Sequence, residues 1–109
     1  MSVANEILRQ LGGNKFVVMT GAKNFLADGN TLRMTLPKNG SKANRLWITL
    51  DEGEDLYSMR FFRYVPGRLN TKTWEWSKEK VDNEKIYDHI FCDQLQEIFT
   101  QHTKMYTHL

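Results

Sequence analysis

In the two runs Leu32–Leu36 and Leu46–Leu50 apolar residues fall on every second position, and this period of two constrains the fold more than any other feature of the chain. Leu32, Met34 and Leu36 alternate with Arg33 and Thr35, while Leu46, Ile48 and Leu50 alternate with Arg45, Trp47 and Thr49. Successive strand side chains point to opposite faces, so each run buries one face and presents the other. Asp28-Gly29-Asn30, Asn39-Gly40-Ser41, Asp51-Glu52-Gly53-Glu54-Asp55 and Pro66-Gly67 are turn chemistry between such runs. Phe25-Leu26-Ala27 leads into the first of these turns, Pro37 ends the strand before it, and residues 56–65 form a long strand. Phe16-Val17-Val18-Met19-Thr20 is β-rich with apolar residues on both faces, which predicts a covered central strand. Thr73, Trp74, Glu75, Trp76 and Ser77 alternate too, and predict a fifth strand within 71–81 with both tryptophans on one face.

Helical spacing appears only at the two ends. Val3, Ile7, Leu8 and Leu11 share one stripe, with Ser2 as N-cap and Gly12-Gly13 as the stop. From an N-cap at Asp82 or Asn83 to Tyr106, the residues Ile86, Tyr87, Ile90, Phe91, Leu95, Ile98, Phe99, His102, Met105 and Tyr106 predict one long helix with a broad apolar face. The expected architecture is α+β: an antiparallel sheet of four to five strands with N-terminal and C-terminal helices packed on one face. At 109 residues the chain suits a single domain over 1–109. No apolar run approaches the roughly 18 residues of a membrane helix, and Glu6 and Arg9 interrupt the start where a secretory signal would be apolar. The lone Cys92 excludes an intramolecular disulfide and fits a reducing, cytoplasmic setting.

Most motif-borne chemistries find no support. The chain has no Gly-x-Ser-x-Gly nucleophile elbow, no Gly-x-x-x-x-Gly-Lys-Ser/Thr loop and no Gly-x-Gly-x-x-Gly fingerprint. Gly12-Gly13-Asn14-Lys15 reads as a helix C-cap, because phosphate sites use helix N-termini. His89 and Cys92 lie three apart, but a structural zinc takes four ligands and only His102 and His108 remain. They read as a surface histidine beside a part-buried, metal-free cysteine. The acidic turn 51–55 lacks calcium-loop spacing. No catalytic residue, metal or cofactor is expected, and the protein is read as non-enzymatic.

Charge and aromatic content point elsewhere. Seven bases and two acids lie in residues 1–50, against eight bases and eleven acids in 51–109. On the alternating strands, burying Leu32, Met34, Leu36, Leu46, Ile48 and Leu50 leaves Arg33, Thr35, Arg45, Trp47 and Thr49 on the other sheet face. Burying Tyr57, Met59 and Phe61 adds Ser58, Arg60, Phe62 and Tyr64 to it, with Trp74 and Trp76 as further candidates. Arginines among aromatic rings form the composition of a stacking platform for single-stranded nucleic acid. The same composition suits an oligomer interface, and a bulge would return Phe62 and Tyr64 to the core. All three readings stay open at this point.

Leu11-Gly12-Gly13-Asn14-Lys15-Phe16 and Met19-Thr20-Gly21-Ala22-Lys23-Asn24-Phe25 resemble a family of small, uncharacterised bacteriophage and prophage proteins. Leu36-Pro37, Ile48-Thr49-Leu50, Asp55-Leu56-Tyr57, the text Leu95-Gln96-Glu97-Ile98-Phe99-Thr100 and the ending Tyr106-Thr107-His108-Leu109 fit the same pattern, from which residues 60–85 depart. The resemblance implies a mobile-element origin and brings no catalytic residues. The element order also looks like the single-strand-binding transcriptional coactivators, a likeness of topology alone. The sequence therefore predicts a phage or mobile-element protein, a homodimer that binds single-stranded nucleic acid through Lys15, Lys23, Arg33, Arg45, Trp47, Arg60, Phe62, Arg63 and Tyr64. The alternative is a protein-interaction module that oligomerises or captures a host protein.

Overall fold

A computed structural model describes residues 3–105. The predicted cap Ser2 and the helix end at Tyr106 lie outside the described residues. Two short helices, α1 (Val3–Leu11) and α2 (Asn14–Thr20), precede four strands: β1 (Lys23–Asp28), β2 (Thr31–Thr35), β3 (Arg45–Asp51) and β4 (Leu56–Val65). Two-residue strands β5 (Leu69–Asn70) and β6 (Glu75–Trp76) follow, then β7 (Lys80–Ile90), a 3-10 turn at Cys92–Gln94, and α3 (Leu95–Thr103). Five strands form one antiparallel sheet in the order β1-β2-β3-β4-β7, and β5 pairs only with β6. The fold is α+β, with its terminal helices on one sheet face.

Strand alternation places the core. Leu32 and Met34 on β2, Leu46 and Ile48 on β3, and Tyr57, Met59 and Phe61 on β4 all face the helices, in register through Leu32↔Ile48↔Met59 and Met34↔Leu46↔Phe61. Ala4, Ile7 and Leu11 of α1, Phe16 of α2, and Leu95 and Phe99 of α3 complete the same cluster. Phe16 meets Phe99 edge-on at 4.9 Å between ring centres, and the Gln96 side-chain amide donates to the Leu11 carbonyl at 2.8 Å. The loop 37–44 closes one end of the core. The Gly40 amide donates to the Thr103 carbonyl at 2.7 Å, and a Cβ on Gly40 would stand 2.8 Å from that same oxygen.

Three elements differ from the sequence reading. The expected central strand at 16–20 is α2, which buries Phe16 and Thr20, four residues apart, and leaves Val18 80% exposed. Gly21, at φ +72°, caps this helix in the left-handed conformation with its amide on the Val17 carbonyl. Docking Phe16 onto Phe99 outweighs the modest β-preference of two valines.

The expected helix over 82–106 splits into a strand and a shorter helix. β7 pairs along β4 with two bulges: Phe61↔Lys85 is followed by Arg63↔Asp82, and Tyr57↔Ile90 by Met59↔Tyr87. Asn83 (φ +52°) and His89 (φ +57°) lie within those irregular intervals. Each bulge adds a residue, so the inward Tyr87 and Ile90 stand three apart, and an irregular strand imitates helical spacing. Phe91, expected in the core, is instead 59% exposed, and Ile86 faces away from the helices opposite Arg60. Cys92, expected to be part-buried on a helix beside His89, is exposed in the 3-10 turn, and His89 sits on β7.

The expected fifth strand at 71–81 is largely a turn. Trp74 takes φ +57°, Glu75–Trp76 pair with Asn70 and Leu69, and Lys80 and Val81 already belong to β7, opposite Val65 and Tyr64.

Candidate nucleic-acid interface on the open sheet face

All three helices lie on one side, so the other side of the sheet is open. Cross-strand register lines up its residues in rows, as facing strand positions share a face. One row runs Leu26–Arg33–Trp47–Arg60–Ile86, and the next runs Lys23–Thr35–Arg45–Phe62. Beyond them Tyr64 stands opposite Val81.

The rings and cations interlock. The Arg33 guanidinium lies 4.2 Å and that of Arg60 5.2 Å from the Trp47 ring centre, one from each neighbouring strand. Arg60 also covers Phe62 at 4.4 Å, and Trp47 meets Phe62 edge-on at 5.3 Å. Phe62 is therefore only 4% exposed although it faces away from the helices. Arg45 lies 5.4 Å from the centre of the Tyr64 ring. Cation–π contacts of this kind contribute about 0.5–1 kcal/mol each at exposed sites.

Carboxylates at the sheet edges hold two of the arginines in place. Arg33 pairs with Asp28 on β1, and Arg60 pairs with Glu84 on β7 at 2.6 Å. The Tyr64 hydroxyl donates to Glu79 at 2.5 Å, and this bond to a carboxylate holds its pKa above the ordinary phenol value. The Asn44 side chain stitches the end of β4, accepting from the Tyr64 amide at 2.8 Å and donating to the Tyr64 carbonyl at 2.9 Å. Lys23 and Arg45 have no carboxylate partner among the described residues. Beside them is a groove of about 230 Å³ lined by Asn24, Leu26, Arg33, Thr35, Arg45 and Trp47. Arg33 Nε is buried beneath the surface with no hydrogen-bond partner.

Seven of the nine predicted binding residues share this face: Lys23, Arg33, Arg45, Trp47, Arg60, Phe62 and Tyr64. Lys15 and Arg63 do not. Lys15 is exposed on α2, in the helical layer. Arg63 lies on β4 between Phe62 and Tyr64 and so faces the other side, where it lines a hollow with the 37–44 loop and stands 3.9 Å from Asp82. Trp74 and Trp76 sit on the separate β5–β6 hairpin rather than on the sheet face. Asp28 and Glu84, which hold Arg33 and Arg60, were not singled out from the sequence. Asp28 was legible in principle, since the Asp28-Gly29-Asn30 turn folds it back beside Arg33, but Glu84 was hidden by the irregular register of β7.

Among the described residues no group of three His, Cys, Asp or Glu side chains is placed to hold a metal ion, and no helix is long and apolar enough to cross a membrane. Comparison with family models, with curated proteins and with solved structures yields no match.

Proposed function

We propose that the open sheet face is a non-enzymatic binding platform for single-stranded nucleic acid. The observation that carries this reading is the pairing of two uncompensated cations, Lys23 and Arg45, with a groove walled by Trp47 and Arg33. Lys23 and Arg45 would take phosphates. Bases would stack on the ladder of Arg33, Trp47 and Arg60, since guanidinium planes and indole rings both accept a base face. Phe62 supports the ladder from beneath rather than touching a base, and Tyr64 extends it behind Arg45. Such a protein suits the handling of single strands in replication or recombination of a phage or mobile element, the setting that the sequence resemblance implies.

A second reading has its own support. Leu26, Ile86 and Val81 are half-exposed on the two edges of the same face, so a second copy of the chain packed there would cover an apolar rim. Anisotropy titrations of labelled single-stranded DNA, single-stranded RNA and duplex over a salt series separate the two. Strand binding predicts tighter binding of single strands than of duplex, weakening linearly in log salt. No binding to any strand at micromolar protein, together with a dimer in sedimentation that Trp47→Ala dissociates, would give the face to self-association instead.

A further inference from the structure

The hairpin between β4 and β7 stands apart from the body of the protein. The radius of gyration is 15.3 Å, against about 13 Å for a compact chain of this length. Every residue from 70 to 81 is exposed. Trp74 and Trp76 are 75% and 72% exposed, although an indole packed on a core would remove roughly 150–250 Å² from water. The arm keeps its shape through its own polar bonds. The Ser77 amide donates to the Arg68 carbonyl at 2.8 Å, the Arg68 amide donates to Ser77 Oγ at 3.0 Å, and the Trp74 amide donates to the Asn70 carbonyl at 2.7 Å. Gly67 lets the two sides approach, since a Cβ there would stand 2.6 Å from the Ser77 carbonyl oxygen.

Charge says what such an arm would meet. Residues 66–80 carry Arg68, Lys72, Lys78 and Lys80 against Glu75 and Glu79. Glu79 accepts from Tyr64, Lys80 pairs with Asp82, and Arg68, Lys72 and Lys78 have no carboxylate partner among the described residues. Arg68, Asn70, Glu75, Trp76 and Ser77 line a hollow of about 410 Å³, which sets Trp76 beside hydrogen-bonding groups. The arm joins the sheet beside Tyr64, which lies against Arg45 on the open face and donates to Glu79 at the base of the arm.

We propose that the arm is a second binding site for single-stranded nucleic acid, stacking bases on Trp74 and Trp76 and holding phosphates with Arg68, Lys72 and Lys78. It extends the strand-binding reading above to a separate site, and each site reports on itself. In Trp47→Phe only the arm tryptophans emit, and in a Trp74→Phe/Trp76→Phe variant only Trp47 emits. Titration with a 30-residue oligothymidylate at low salt should quench both variants. Trp74→Ala/Trp76→Ala, which removes rings that lie mostly in water and outside the core, should keep the parent's urea midpoint and bind the oligonucleotide at least about fivefold more weakly. Quenching of Trp47 alone would overturn the arm site and leave the sheet-face reading standing. Quenching of the arm alone would do the reverse, and quenching of neither would sink both. A blue shift of the arm tryptophans on phosphatidylserine vesicles, without any response to oligonucleotide, would replace the strand by an anionic membrane surface.

Discussion

Phe99→Ala and Phe91→Ala form the most informative pair of substitutions for the fold. The apolar pattern of the sequence puts both rings in one helical core stripe, whereas the structure separates them. Phe99 is fully buried, edge-on to Phe16 at 4.9 Å and tilted against Phe61 at 6.3 Å. Phe91 is 59% exposed at the junction between β7 and the 3-10 turn. Truncating a buried Phe loses its transfer energy and leaves a cavity, at about 3–5 kcal/mol. Domains of this size have about 5–15 kcal/mol of stability in all, so the loss is a large part of the total. With a urea m-value of roughly 1–3 kcal/mol/M, Phe99→Ala should lower the unfolding midpoint by about 2 M. Phe91→Ala removes a ring that stays largely in water and should cost less than about 1 kcal/mol. Equal losses for the two, followed by urea titration with circular dichroism, would refute the strand at Lys80–Ile90 and restore a single long helix.

Gly40→Ala should destabilise by about 1–3 kcal/mol in the same urea assay, because its Cβ would press on the Thr103 backbone oxygen, which no rotamer change relieves. His102 stacks on Phe61 at 4.1 Å and bonds the Tyr87 hydroxyl at 3.1 Å; burial, with Lys85 and Lys104 nearby, holds its pKa below the ordinary 6.5. The unfolded chain therefore takes up this proton first, so the stability that neutral His102 supports is present above pH 6.5 and falls as pH drops through 6.5 towards the lower folded value. The urea midpoint of the parent should fall towards that of His102→Gln over this window, and a constant gap between the two would contradict the sign. Trp47→Ala should weaken single-strand binding by about 1–3 kcal/mol while leaving the salt slope unchanged in an anisotropy series, and a reduced slope would mean the indole acts only by positioning Arg33 and Arg60.

The two hairpins from β2 to β4 were legible in the sequence because their turns and their alternation agree, whereas Lys23–Asp28 does not alternate and predicts only the turn that follows it. Asp28-Gly29-Asn30 and the acidic turn 51–55 fall where the strand pattern breaks, and the inward Leu32, Met34, Leu46 and Ile48 each meet an apolar residue across the register. That same alternation placed Arg33, Arg45, Trp47, Arg60, Phe62 and Tyr64 on one face. It failed where local pattern and tertiary packing part company. The bulges around Asn83 and His89 put Tyr87 and Ile90 three apart, so an edge strand took on a helical rhythm. Phe16 and Thr20 are buried four apart on a helix too short for its periodicity to outweigh its valines. The burial of Phe62 beneath Arg60 was hidden for another reason: it depends on Glu84, which only the β4–β7 pairing brings within reach. Lys15 and Arg63 lie off the open face, because a count of bases along the chain does not distinguish the two faces of a sheet.

The central claim, that uncompensated cations on the open face hold the phosphates of a single strand, is tested most directly by the salt dependence of binding in Arg45→Ala. Arg45 has no carboxylate partner among the described residues, whereas Arg33 is already paired with Asp28. Plotted as log affinity against log salt for a single-stranded oligonucleotide, Arg45→Ala should bind more weakly than the parent, with a slope shallower by about 0.7. A slope identical to the parent's would place the phosphates elsewhere and contradict the account.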